Sequence, residues 1–138
     1  MRMSARIRNT KGENHLEVSS GPRPTAITIA PKAAGFGSSV SGGEMLLAAL
    51  ATCYCNDVYR EAGKMGIEVS SVEVECSAEF PAEGQPASEI TYSTRISAKA
   101  SDAKIRELAA QTDRMAEIHN TIRAAIPVSL ADVAVEEQ

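Results

Sequence analysis

This sequence has no tryptophan, and aromatic residues make up only 4% of its 138 positions. Its core must therefore be assembled mainly from alanine, valine, isoleucine, leucine and methionine. It has no excess of positive charge: 14 lysines and arginines stand against 18 aspartates and glutamates, for a formal net charge of −4. That balance gives no electrostatic footing for nucleic acid or an anionic membrane. Long apolar runs are also missing. The longest nearly continuous one covers residues 45–55, well short of the about 20 residues that a bilayer-spanning helix needs. The opening MRMSARIRNTKGENH carries positive charge with no apolar stretch behind it, so no secretory signal is read there and a cytoplasmic location is expected. Cysteine is scarce. Three residues, an odd number, argue against a disulfide framework and for free thiols in a reducing compartment.

What is present suits one globular domain over residues 1–138: 43% hydrophobic and 23% charged residues. The punctuation predicts the order β-β-β-α-β-β-α-α-β, an α+β chain. MSARIRN and HLEVSSG flank a turn through Gly12 and Asn14, and TAITIA follows two prolines. A glycine-rich loop leads to a helix over residues 43–65, opened by a capping box of Ser41 and Glu44 and stopped at Gly66. EVSSVEVECSAEF alternates strictly and reads as a half-solvated antiparallel strand, with SEITYSTRISAKA as its return. Ser101 caps the next helix, whose stripe is Ile105, Leu108 and Ala109. Thr112 is read as the cap of a second helix carrying Met115, Ile118, Ile122 and Ala125, and VSLADVAVEE as a last strand.

The chemistry concentrates in ALATCYCNDVYREAG, residues 49–63. Each residue turns a helix by about 100°, so Cys53 and Cys55 point about 200° apart and cannot chelate one metal or bond to each other while the helix is intact. There is no CxxC, and His15 and His119 are far from the cysteines in sequence, so neither a metal nor a cofactor is expected. Cys53 shares a face with Leu50, Asn56, Asp57 and Arg60, at a boundary where a thiol can react. Asp57 would raise its pKa and Arg60 would lower it. Cys55, with Ala48, Ala51, Val58, Tyr59 and Ala62, reads as core, as does Cys76 among alternating valines.

SGGEMLLAALATC resembles the entry to the central helix of the OsmC/Ohr family, the osmotically inducible and organic-hydroperoxide-resistance proteins. MAEIHNTIRAAIPV is similar to that family's second helix and last strand. The resemblance covers essentially the whole chain, with CYCND marking a divergent branch. It implies an α+β fold of antiparallel sheets wrapped around central helices in an intertwined homodimer, in which a partner would cover the very apolar helix. It also implies thiol peroxidation: a cysteine attacks a hydroperoxide, becomes a sulfenic acid, and is returned through a disulfide. Cys53 falls on the attacking position. Gly42 and Gly43 fall on the motif's proline and glutamate, with Glu44 one place later, and Ala116 falls on the second cysteine. The family's arginine comes from the first hairpin, where Arg6, Arg8 and Lys11 are candidates.

These readings give a thiol-dependent peroxidase in which Cys53 is catalytic, with Arg60 and Asp57 tuning it, and a small thiol or dithiol is the external reductant. Cys55, Asn56, Glu44, Glu61, His119 and Asn120 are expected to line the site. The alternative is a non-catalytic protein whose dimer-interface pocket holds a small apolar ligand. A third reading pairs Asp57 or Glu61 with His119 as general acid and base.

Overall fold

The computed structural model describes residues 1–136 and 138. It contains two compact units, Met1–Leu46 and Leu47–Gln138, and the architecture is α+β with antiparallel sheets only.

In the first unit, β1 (Ser4–Thr10), β2 (Glu13–Ser19) and β3 (Thr25–Ile27) form a three-stranded meander. Gly12 at φ +77° makes the tight β1–β2 turn, a backbone region that side chains with a Cβ avoid. Register places Ile7 opposite Leu16 and Leu16 opposite Ile27, so one apolar row crosses all three strands. β3 is shorter than the TAITIA run suggests. After Ile27 the backbone turns to loop partners: Asn14 donates to the Ile29 carbonyl at 3.0 Å, and Ser39 N–H to that of Ala30 at 2.9 Å.

Helix α1 (Gly42–Met65) begins where the capping box predicts. Ser41 N–H donates to Glu44 Oε1 at 3.0 Å, and Glu44 N–H to Ser41 Oγ at 3.1 Å. It ends in a Schellman motif. Gly66 takes φ +69°, Ile67 N–H reaches back to the Ala62 carbonyl at 2.9 Å, and Gly66 N–H to that of Gly63.

In the second unit, β4 (Glu68–Glu79) and β5 (Glu89–Lys99) form one long hairpin with an irregularity between Val69 and Ser71. The predicted alternation holds: Val72, Val74, Cys76 and Ala78 are half-buried, with exposed residues between them. This face packs Val72, Val74, Tyr92 and Ile96 onto a core of Tyr54, Val58, Ala62 and Leu108. The buried face of α1 therefore runs through Leu50, Tyr54, Asp57, Val58 and Glu61. Of the flank expected to be core, Val58 and Ala62 are fully buried, Ala51 and Cys55 are half-buried, and Ala48 and Tyr59 are exposed.

Helix α2 (Asp102–Met115) is capped by Ser101, whose side chain accepts from Lys104 N–H, and α3 spans Glu117–Arg123. The break lies at Ala116, not at Thr112. Thr112 is a fully buried interior position, its hydroxyl donating to the Leu108 carbonyl at 2.8 Å. Ala116 is also fully buried, with extended backbone (φ −69°, ψ 110°). Three side chains hold the end of α2 by taking the carbonyls a helix leaves orphaned. Arg123 donates to Asp113 O, Asn120 to Arg114 O and Arg60 to Met115 O. The expected last strand is a further correction. Residues 127–136 have no ladder partner among the described residues, and Val128 is 99% and Leu130 84% exposed. Alternation supplies a strand's pattern, but a strand also needs a neighbour. Glu137, the last residue of that expected strand, lies outside the described residues.

Candidate active site

Cys53 is the centre of a polar cluster that α1 and α3 build together. The half-buried thiol donates to Asp57 Oδ2 at 3.4 Å, one helical turn on, and lies 4.0 Å from Glu117 Oε2 at the start of α3. Arg60 holds both acids: Nη1 is 2.6 Å from Glu117 Oε1 and 3.2 Å from Asp57 Oδ1. Its Nε donates to Glu61 Oε2 at 2.9 Å. One guanidinium fork thus ties three carboxylates and the end of α2 into one frame, which an ammonium could not do.

The electrostatics follow from this wiring. Burial pushes the Cys53 thiol up, the Ile118 backbone N–H acts in the opposite sense, and Asp57 and Glu117 add to the rise. Arg60 is spent on its carboxylates and does not draw the thiol down. Asp57 is raised by burial and by Glu117. Glu117 is lowered by its own backbone N–H, by Asp57 and by Arg60. The cluster therefore holds a protonated thiol beside a carboxylate with more than ordinary affinity for a proton.

Cys53, Asp57 and Glu117 bring one ligand atom each within 4.8 Å of one another, a spacing that a divalent cation could use. The Arg60 guanidinium already supplies the positive charge there.

The remaining sequence candidates separate. Cys55 and Asn56 line a shallow cleft with Ala51, Thr52 and Val74, away from the thiol cluster. Glu61 is buried and tied to Lys64 at 2.9 Å, to Arg60 and to Gln111 at 3.4 Å. Lys64 and Arg60 hold its carboxyl down at about 2. Glu44 serves the helix cap, and Asn120 caps α2 and accepts from Arg123 at 3.2 Å. His119 is buried, and neither ring nitrogen is hydrogen-bonded among the described residues. It stacks edge-on to Tyr92, with ring centroids 4.7 Å apart, and pairs with neither Asp57 nor Glu61. In the first unit, Arg6 and Arg8 line a broad cleft of that unit over Leu16 and Ile27.

Sequence reasoning missed Glu117. A continuous second helix places it at an ordinary interior position. The kink at Ala116 makes it the first residue of α3 and turns it toward Cys53. Where the resemblance would place a second thiol, the buried Ala116 side chain has none, and the next residue presents a carboxylate.

Comparison with known proteins assigns the class. The family model for OsmC-like protein matches residues 35–131, so the chain belongs to the OsmC-like protein family. No curated protein sequence matches it. Among solved structures, an OsmC-like protein from Mycoplasma pneumoniae is similar, with a TM-score of 0.61 and 20% identity over 88% of this chain and 86% of that one. So is a protein from Legionella pneumophila described as an organic hydroperoxide resistance protein OsmC and predicted redox protein, with a TM-score of 0.59 and 16% identity over 89% and 90%. The organic hydroperoxide resistance protein OhrB of Bacillus subtilis gives 0.54 and 19% over 89% and 91%. At these identities the likeness is one of fold.

Proposed function

We propose that this protein is a cytoplasmic thiol-dependent peroxidase that reduces organic hydroperoxides through Cys53. The observation that carries this reading is the Cys53 thiol directed at Asp57, 3.4 Å away, inside a cluster held together by Arg60. The family supports it as well, since two of its structural neighbours are named for organic hydroperoxide resistance. Sγ attacks the outer peroxide oxygen, and an S–O bond forms as the O–O bond breaks. The thiol proton passes to Asp57 and on to the departing alkoxide, leaving a sulfenic acid and an alcohol. With alanine at position 116, a small external thiol condenses with the sulfenic acid, releasing water. A second thiol then restores Cys53 and leaves as a disulfide. Asp57 is the proton acceptor, and Arg60 and Glu117 position it.

The test is mass spectrometry of the reduced protein after one equivalent of cumene hydroperoxide with a sulfenic-acid trap present. The expected result is an adduct on Cys53, absent in Cys53→Ser and slowed at least about tenfold in Asp57→Asn. Absence of an adduct, or equal oxidation of all three cysteines, overturns the reading in favour of ligand binding without turnover.

We also infer a homodimer in which the 138 residues act as one OsmC-like domain. The family's fold match over most of the chain supports this. So do Val128, Leu130, Val133 and Val135, apolar side chains left in solvent on a segment with no strand partner among the described residues. Sedimentation should give a dimer mass that falls to that of a monomer when residues 127–138 are removed. A full-length monomer would refute it.

A further inference from the structure

Helix α3 is seated by one residue. Of its seven side chains only His119 is buried, at 4% exposure; Ile118 is half-buried and the other five are exposed. Its remaining ties join groups open to solvent: Arg60 donates to Glu117, Asn120 to the Arg114 carbonyl and Arg123 to Asp113. Exposed pairs of this kind contribute little. The seating of α3 therefore depends chiefly on the His119 ring, which packs edge-on to Tyr92 at 4.7 Å and tilted to Tyr54 at 6.0 Å, centroid to centroid. What α3 carries is one side of the thiol cluster. Glu117 Oε2 lies 4.0 Å from Cys53 Sγ, and the Ile118 backbone N–H acts on the same sulfur.

That anchor can take up a proton, and its surroundings do not accommodate the charge. Tyr54 of α1 and Tyr92 of β5 stay neutral, since burial and Asp113 push Tyr54 up to about 12 and raise Tyr92 as well. Cys76 of β4, across the small cavity that His119 borders, is raised by burial. Asp113 of α2 is held low, despite its burial, by Tyr92 and Arg123. It and Arg123 of α3 are both charged and offset each other at 2.7 Å. An imidazolium would thus meet no net opposite charge, and neither ring nitrogen has a hydrogen-bond partner among the described residues. Contact with two tyrosine rings returns less than the loss of hydration takes away. Burial and Arg123 accordingly hold the His119 pKa below 6.5. Moving the ring into water relieves the conflict. That needs α3 to leave, not the whole unit to unfold. The break at Ala116, with extended backbone (φ −69°, ψ 110°), lets α2 keep its ladder while α3 swings.

We propose that α3 is an acid-released flap over Cys53, with His119 as the catch that protonation frees. Below about pH 6.5 the flap opens, and Cys53 loses Glu117 and its cover on that side. The inference rests on Cys53 being the reactive group of the proposed function, and it adds a control on access to that group.

The test is amide hydrogen exchange of the full chain, corrected for the intrinsic pH dependence of exchange. The amides of Asn120, Ala124 and Ala125 are hydrogen-bonded within the α3 segment. They should exchange through an opening that depends weakly on urea, unlike the core amides of β4 and β5, which follow global unfolding. That opening should grow about tenfold from pH 7.5 to 5.5, the ratio for one group whose exposed pKa is about 6.5. In His119→Leu the growth should vanish. Labelling of Cys53 by N-ethylmaleimide reads the consequence. The rate in the unaltered protein divided by that in His119→Leu should rise severalfold over the same pH change, the thiolate fraction cancelling in the ratio. An α3 opening with the urea dependence of the hairpin, no growth of that opening at pH 5.5, or an unchanged labelling ratio would overturn the proposal. The first two comparisons need no variant. Neither measurement involves a peroxide, so failure of the flap is distinct from failure of the peroxidase reading.

Discussion

Glu61 and His119 are both ionisable, and both are buried in the same unit, at 1% and 4% exposure. Their surroundings are opposite. Glu61 has Lys64 and Arg60 at 2.9 Å and Gln111 at 3.4 Å. His119 has no hydrogen-bond partner among the described residues. A buried charge with both oxygens engaged locks the elements around it, here α1 and α2. A buried imidazole with both nitrogens free lowers stability. The thiol cluster lies between these extremes: Asp57 and Glu117 share the one Arg60 guanidinium, and Asp57 still faces Cys53. Satisfied groups mark scaffold, and incompletely satisfied ones mark the places where chemistry or binding can occur.

The largest expected effect comes from dismantling the satisfied side. Arg60→Ala would remove the donor shared by Asp57, Glu61 and Glu117, together with the contact to the Met115 carbonyl. Breaking a fully buried pair costs about 3–5 kcal/mol. The Arg60 side chain is 37% exposed, so solvent screening reduces the expected loss to about 2 kcal/mol in urea denaturation. Arg60→Lys should recover less than half of it, since an ammonium cannot reach three carboxylates through a planar fork. A loss below about 0.5 kcal/mol would reduce the network to ordinary surface pairing and remove one side of the comparison.

The parts legible in the sequence were those fixed by neighbours along the chain. Ser41 and Glu44 are three residues apart, so their reciprocal bonds are a local matter, and Gly66 needs only its own positive φ to stop α1. β4 could be read because its alternation is matched by β5, the next element in the chain, across a loop that turns at Gly84. Residues 128–136 carry a similar alternation, but no strand within the described residues pairs with them. Periodicity says which face would be apolar and is silent about the neighbour. The site divides the same way. Asp57 and Arg60 are within two turns of Cys53 and follow from helix rotation, although Arg60's charge is absorbed by partners that rotation does not show. Glu117 is 64 residues from Cys53, and its placement depends on a kink at a buried alanine that no capping residue announces. The orphaned state of His119 was out of reach, because it depends on Tyr92 and Arg123 both being engaged by Asp113.

The smaller effect lies on the unsatisfied side and has the opposite sign. His119→Leu replaces an unpartnered imidazole with an apolar side chain in an apolar wall. It should raise stability by about 1 kcal/mol, the low end of the cost of an unsatisfied buried polar group, because leucine fills the space less completely. The pH dependence sharpens this. Burial and the nearby Arg123 hold the His119 pKa below its usual 6.5. The unfolded chain therefore takes up the proton more readily than the folded one. Stability is then full above about pH 6.5 and declines as pH falls through that value. The decline should be present in the unaltered protein and missing in His119→Leu. The contribution of Glu61 is also lost as pH falls, but between about 4.5 and about 2, and it should appear in both proteins. Denaturation curves at pH 7.5, 5.5 and 3 would separate the two groups. If His119→Leu were the less stable protein at pH 7.5, the imidazole would have a partner in solution and its contrast with Glu61 would be lost.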